Sequence, residues 1–169
     1  MSEFLDEIEE CVAPLRRYAR SLTRNADHAD DLVQDCLERA IRKQALWRPQ
    51  GPLRAWLFRM LLNIYRNDLR SRRRRPITVP VDQVSELPQV APAQPGRMLL
   101  AETARALDLL PEEQRTALLL VVLEGLSYAE AAEVLSIPPG TLMSRIGRAR
   151  AALKQLTESR GETRLRTVK

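Results

Sequence analysis

Residues 127–154, SYAEAAEVLSIPPGTLMSRIGRARAALK, leave the backbone few choices. Ser127 with Glu130 three residues on predicts a capping box, in which each side chain takes a backbone N–H that the helix start would leave orphaned. A short helix therefore begins at Ser127, with Ala131, Ala132, Val134 and Leu135 on its apolar side. Pro138, Pro139 and Gly140 forbid its smooth continuation. A second helix is expected from near Thr141, with Leu142, Ile146, Ala149, Leu153 and Leu156 on one stripe. Ser144, Gly147, Arg148 and Ala151 point the opposite way, and Arg145, Arg150 and Lys154 lie on the flanks. Two helices joined so tightly make a helix-turn-helix. Its outward face, small in the middle and basic at the edges, can enter a DNA major groove, where arginines reach guanine edges or phosphates.

An isolated basic helix is more often a solvated surface. Charge segregation argues otherwise here. Residues 97–136 hold three arginines against seven acids, while residues 137–169 hold eight Arg and Lys against two Glu. A polyanion partner at that end is the simplest use of the arrangement. The whole chain carries +5 in 169 residues, 44% of them hydrophobic, enough for one modest core or two small ones. Cys11 and Cys36 are too few for a disulfide framework, and Cys36 sits among apolar helix positions as a buried thiol would. The acidic N-terminal decapeptide lacks the basic start of a signal peptide, and no apolar run is long enough for membrane insertion, so a cytoplasmic protein is expected. One histidine, His28, and no CxxC spacing give no metal site and no cofactor.

The rest of the chain reads as further helices. Leu5, Ile8, Val12, Leu15, Ala19 and Leu22 predict an amphipathic helix over residues 3–22, broken or kinked near Pro14. Asn25 or Asp27 can cap the next, with Ala29, Leu32, Val33, Cys36, Leu37, Ala40 and Ile41 inward. Its polar face, Asp30, Asp31, Gln34, Asp35, Glu38, Arg39 and Arg42, is equally consistent with a solvated surface and with an interface. The acids Asp27, Asp30, Asp31 and Asp35 suggest surface ion pairs rather than an acid-base or metal site. After a loop over residues 47–52, a third helix is expected over 53–74. Leu53, Trp56, Leu57, Met60, Leu61 and Ile64 point inward, and Arg59, Asn63, Arg66, Asn67 and Arg70 run along the other side. Amides and arginines together suit DNA whose bases have left the stack.

Residues 76–96 contain five prolines, two acids and no Arg or Lys, as an extended linker would. Such a tether lets two DNA-binding faces engage sites a set distance apart. Helices resume near Met98, with Leu99, Leu100, Ala104, Leu107 and Leu110 inward. Pro111 opens another helix, Gly125 ends it, and residues 157–169 read as a frayed basic tail. The fold class is therefore all-α: residues 1–75 and 97–169 form two small helical domains joined by the Pro-rich segment 76–96.

Three blocks carry a family resemblance: ADDLVQDCLERA at 29–40, PLRAWLFRMLLNIYRNDLRSRRR at 52–74, and LPEEQRTALLLVVLEGLSYAEAAEVLSIPPGTLMSRIGRARAAL at 110–153. In this order, with the Pro-rich gap, they resemble an extracytoplasmic-function (ECF) sigma factor, the two-domain group of the bacterial sigma-70 family. The resemblance implies that the first domain docks on the β′ clamp of core RNA polymerase through Asp31, Gln34, Asp35 and Arg39. It also implies that Asn63, Arg66 and Asn67, with Arg59 and Arg70 on phosphates, recognise and open the −10 element of promoter DNA. Thr141, Ser144, Arg145 and Arg148, flanked by Arg150, would read the −35 element beside the β flap. An anti-sigma factor and a stress or envelope response are further implications, as is the absence of catalysis by the chain itself. Met143 and Gly147 depart from many members, which carry a basic and a larger residue there, so the preferred −35 sequence does not follow. Two other readings remain. A stand-alone helix-turn-helix regulator would leave the Asn63, Arg66 and Gln34 faces idle, and a nucleic-acid enzyme built on Asp30, Asp31 and Asp35 lacks a nucleophile constellation.

Overall fold

The computed structural model describes residues 2–47, 51–74 and 103–166, and among them secondary structure is helical with no strand. In chain order the helices are α1 (Ser2–Thr23), α2 (Ala26–Arg42), a 3-10 turn (Gln44–Leu46), α3 (Leu53–Arg74), α4 (Glu112–Val122), α5 (Tyr128–Leu135) and α6 (Pro139–Arg166). Residues 103–108 are also helical. The all-α expectation holds. Residues 48–50 of the expected loop, the linker 76–96 and the expected resumption at Met98, Leu99 and Leu100 lie outside the described residues.

Pro14 does not break α1, which runs unbroken through it. A proline inside a helix costs about 3 kcal/mol, and the burial of Leu15, Tyr18 and Ala19 on the following turn, each with no exposed surface, outweighs that cost. Of the expected α1 stripe, Ile8, Leu15, Ala19 and Leu22 are buried, and the difference lies at the remaining positions. Phe4, Cys11 and Tyr18 are buried beside Ile8, Leu15 and Leu22, while Leu5 is 43% exposed. Asn25 caps α2, its Oδ1 accepting from the His28 N–H at 2.8 Å. Ala29, Leu32, Val33, Cys36 and Ala40 are buried as expected, but Ile41 is 50% exposed. Burial pushes the Cys36 thiol up to about 12, which keeps it protonated and unreactive.

In α3 the expected Leu53, Leu57, Leu61 and Ile64 are buried, and Ala55, Phe58, Leu62 and Tyr65 are buried too. The extra burial has a cause that periodicity cannot show. α3 packs against α1 and α2 on one side and against α5 on another, and α1 also packs on α4. One hydrophobic cluster therefore runs through both halves of the chain. Tyr18 lies at its centre, its ring edge-on to Phe58 with centroids 5.2 Å apart and its hydroxyl donating to the Thr116 carbonyl at 3.1 Å. Farther along, Leu110 is buried as expected, but Ala104 is exposed and Ala106 takes the inward position.

The helix-turn-helix forms with its capping box. Ser127 Oγ accepts from the Glu130 N–H at 3.2 Å and Glu130 Oε2 accepts from the Ser127 N–H at 2.8 Å. The turn itself differs from expectation. Ser136 closes α5 in the left-handed region (φ 55°), with the Ile137 N–H reaching back to the Ala132 carbonyl at 3.0 Å. α6 then starts at Pro139 rather than Thr141, because a proline's fixed φ and missing N–H suit a first helical turn. It continues to Arg166, so residues 157–166 extend the helix instead of fraying.

Ser127→Ala is expected to lower stability by about 1 kcal/mol. The Ser127 N–H and hydroxyl hold the Glu130 carboxyl below its ordinary value. Its contribution is therefore present above the unfolded value of about 4.3 and is lost as pH falls through the lowered folded value. Urea unfolding should show a smaller gap between wild type and variant at pH 3 than at pH 7. An equal gap at both would separate the carboxylate from the cap.

Candidate nucleic-acid interface

α6 presents its outward face as expected. Thr141, Ser144, Gly147, Arg148 and Ala151 are exposed, while Leu142, Ile146 and Ala149 are buried against the rest of the second half. Thr141, Ser144, Arg145 and Arg148, at steps of three and four residues, line one open groove of about 610 Å³ together with Glu112 and Glu113 at the start of α4. The Arg145 side chain is only 20% exposed and is paired with Glu113, N to O 3.0 Å. That bond holds the guanidinium beside the groove. Arg150 does not share this groove; it lies on the other flank of the buried stripe, exposed. Met143 is exposed as well.

On α3, Arg59, Asn63, Arg66, Asn67 and Arg70 follow one another at three- and four-residue steps, Asn63, Asn67 and Arg70 exposed and Arg59 and Arg66 half-buried. Arg59, Asn63 and Asn67 line a groove of about 380 Å³ that continues onto α2 through Arg39, past its end at Lys43, and onto the 3-10 turn through Leu46. Leu46 is 71% exposed, an apolar tip beside a polar groove. Lys43 and Leu46 were missed by the sequence reading, since their signal is only their position just ahead of α3. Arg66, Arg70 and Arg73 line a further cleft, of about 540 Å³, facing Arg145, Glu112 and Glu113 of the second half. The two basic stripes thus meet across one cleft, although Arg73 and Arg145 are 72 positions apart in sequence.

The polar face of α2 is laced by helix-spaced contacts. Arg39 holds Asp35 with two bonds of 3.0 and 2.9 Å, and Gln34 donates to Glu38 at 3.2 Å. Asp30 pairs with Arg16 at 3.0 Å, as the ion-pair reading expected. Asp31 and Gln34 are exposed. His28 Nε2 sits 2.8 Å from Asp68, and Arg72 also reaches Asp68 at 3.2 Å, tying the starts of α2 and the end of α3 together. Among the described residues no group of three His, Cys, Asp or Glu is placed to hold a metal ion, and no helix is long and apolar enough to cross a membrane.

A third feature was invisible in the sequence. Glu124, just after α4, has a side chain with no exposed surface. Arg17 of α1 binds both its oxygens, at 3.0 and 2.8 Å, and Arg54 of α3 binds Oε2 at 3.0 Å and the Glu124 carbonyl at 2.6 Å. Partners 107 and 70 residues away leave no local pattern to read.

Comparison with known proteins assigns both halves. The family model described as the Sigma2 domain of PhyR matches residues 8–62, and Sigma-70, region 4 matches residues 100–153. The chain is 42% identical to the ECF RNA polymerase sigma factor EcfG of Rhodopseudomonas palustris, over 89% of this chain and 83% of that one. It is 36% identical to SigM of Mycobacterium tuberculosis, over 84% and 70%. Among solved structures it is similar to the sigma factor RpoE of Bartonella quintana in complex with the anti-sigma factor NepR, with TM-score 0.76, 33% identity, and coverage of 94% of this chain and 98% of that one. CnrH in complex with the cytosolic domain of CnrY follows at TM-score 0.66 and 28% identity, covering 94% and 87%. Two helical domains in this order, a capped helix-turn-helix in the second, and these relatives over most of their length lead to one assignment: the chain belongs to the extracytoplasmic-function sigma factors of the sigma-70 family.

Proposed function

We propose that this sigma factor binds core RNA polymerase through the α2 face, opens the −10 element with the α3 stripe and reads the −35 element with the α6 groove. The observation that carries the division of labour is the pair of separate stripes. One, on α3, mixes amides with arginines beside the exposed Leu46; the other, on α6, is a smooth face with a glycine at its middle. Mixed amides and arginines suit bases already unstacked, and a smooth helical face suits an intact major groove. The chain performs no covalent step in this scheme. Capture of unstacked bases draws the melting equilibrium toward open DNA. The domains are taken as residues 1–75 and 97–169, and the site of action as the cytoplasm, where the polymerase and chromosome are. By likeness to the Bartonella quintana complex, an anti-sigma factor restrains it, in a response to stress or envelope damage.

The test is initiation in vitro. Purified core polymerase with this chain should start RNA from a subset of genomic fragments that core alone ignores. Gln34→Ala with Asp35→Ala should weaken polymerase binding at least tenfold and leave binding to a duplex −35 fragment unchanged; equal loss of both would remove the α2 assignment. A stand-alone regulator would instead bind palindromic duplex tightly without polymerase.

Gly147 supplies a separable prediction. A Cβ built there meets nothing within 4 Å, so nothing in the folded chain requires glycine. Gly147→Ala is expected to stabilise α6 by up to about 1 kcal/mol, seen as a raised urea midpoint. It should also weaken −35 duplex binding, because the methyl group would stand between helix and DNA. Stabilisation with unchanged binding would place the DNA farther from that turn.

A further inference from the structure

Glu113 stands on the wall of the α6 groove, although a carboxylate there repels every phosphate that enters. It lies in the first turn of α4, where an acid also answers the partial positive charge of a helix start. A role at the helix start does not require the direction its side chain takes. The side chain turns across to α6, where Oε2 accepts from the Arg145 Nη2 at 3.0 Å. The Glu113 side chain is 72% exposed and that of Arg145 20%. An ion pair so open to water on one side adds little stability, so its effect is on where the arginine stands.

The backbones on both sides of the pair are fixed. The Pro111 carbonyl accepts from the Gln114 and Arg115 N–H groups, each at 3.0 Å, and the buried Thr116 donates its hydroxyl to the Glu112 carbonyl at 2.6 Å. α6 packs against α4 with Leu142, Ile146 and Ala149 buried on either side of Arg145. None of these contacts involves the first half. Between the two backbones the long Arg145 side chain has two places to go. It borders the groove shared with Thr141, Ser144 and Arg148, and also the cleft shared with Arg66 and Arg70. A guanidinium carries five N–H donors in a rigid fork. The bond to Glu113 uses one of them and leaves the others for a guanine edge or a phosphate.

Resting on the sigma factor reading of the α6 groove, we propose that Glu113 is a positioning residue that sets the selectivity of −35 recognition through Arg145. Held by Glu113, the guanidinium is already placed when DNA arrives, so a duplex with an acceptor at that place is bound without the cost of ordering a long side chain. The carboxylate repels the phosphates of every duplex alike, and only a sequence that engages Arg145 offsets it. Glu113 thus lowers overall affinity for DNA and widens the difference between sequences.

The test uses holoenzyme assembled from core polymerase and the full chain, as wild type, Glu113→Ala, Glu113→Gln, Arg145→Ala and the double variant of Glu113→Ala with Arg145→Ala. Circular dichroism and urea melts check each fold. Promoter fragments randomised across the −35 element give the preferred duplex, and the readout is its affinity relative to a scrambled one. Glu113→Ala should lower that ratio about tenfold, within the range that a lost base contact costs, while binding to the scrambled duplex rises about twofold as a repulsive charge is removed. Glu113→Gln, which keeps an acceptor for Arg145 without the charge, should retain more of the ratio than Glu113→Ala and show the same rise on the scrambled duplex. In the Arg145→Ala background Glu113→Ala should leave the ratio unchanged. A ratio that survives Glu113→Ala, with or without a lower urea midpoint, overturns the proposal and leaves Glu113 as a partner of the helix start alone. A further tenfold fall in the Arg145→Ala background overturns the route through Arg145. A wild-type holoenzyme with no preferred −35 duplex removes the α6 reading and this proposal with it, whereas a wild type with one keeps that reading whichever way the Glu113 variants fall.

Discussion

Asn63→Ala combined with Arg66→Ala should abolish promoter opening while leaving −35 duplex binding within about twofold of wild type. Asn63 is exposed and Arg66 half-buried on the same side of α3, one turn apart, where a displaced base could meet both. A hydrogen bond from a charged donor is worth about 1.5–3 kcal/mol and a neutral one about 0.5–1.5. Together that is roughly 2–4.5 kcal/mol, or roughly thirtyfold to two-thousandfold in the open-complex equilibrium. Permanganate reactivity of unpaired thymines on a promoter fragment measures it directly. Retention of full reactivity would move the melting contacts off this stripe, and parallel loss of −35 binding would show that the double variant damages the fold.

Tyr18→Ala should be the most damaging single change to stability, about 3–5 kcal/mol by the measure of large aromatic truncations. That is between about a fifth and all of the 5–15 kcal/mol typical of a folded domain. The side chain has no exposed surface, meets Phe58 edge-on and reaches across to Thr116, so its loss opens a cavity and breaks a bond between the halves. Tyr18→Phe keeps the ring and should cost only about 0.5–1.5 kcal/mol. Burial holds the Tyr18 hydroxyl well above its ordinary value. Its contribution is therefore intact below pH ~10 and falls as pH rises toward the folded value, so Tyr18→Phe should soften the alkaline limb of unfolding. Urea melts of the three proteins check both statements; a loss under about 1 kcal/mol for Tyr18→Ala would show that this core is not assembled in solution.

Much of this molecule was legible because its signals are local. The capping box at Ser127 and Glu130, the Asn25 cap, the bounds of α3 and the outward face of α6 depend on residues three or four apart, and all are present in the fold. The failures have equally local causes. Pro14 suggests a break or kink because its penalty is visible in sequence, whereas the burial of Leu15, Tyr18 and Ala19 that lets α1 run on through it is not. The start of α6 was placed late because Pro139 was counted as a breaker when it occupies a first turn. The α1 stripe differs at Leu5 and Val12, which weigh as strongly in a hydrophobic pattern as Phe4 and Tyr18, and only the neighbouring helices choose between them.

By itself, then, the order of the residues determined the helices, their caps, the segregation of charge and the stripes that α3 and α6 turn outward. Periodicity and capping act within one helical turn, and the chain carries that information wherever it is placed. What only the tertiary structure decided is how the two halves meet: Glu124 enclosed by Arg17 and Arg54, Glu133 set on Arg59, and Arg66, Arg70 and Arg145 brought to one cleft. Those contacts join residues 70 to 107 positions apart. A carboxylate becomes a joint only when the packing of α1 and α3 against the second half excludes water around it, and that exclusion belongs to the folded chain.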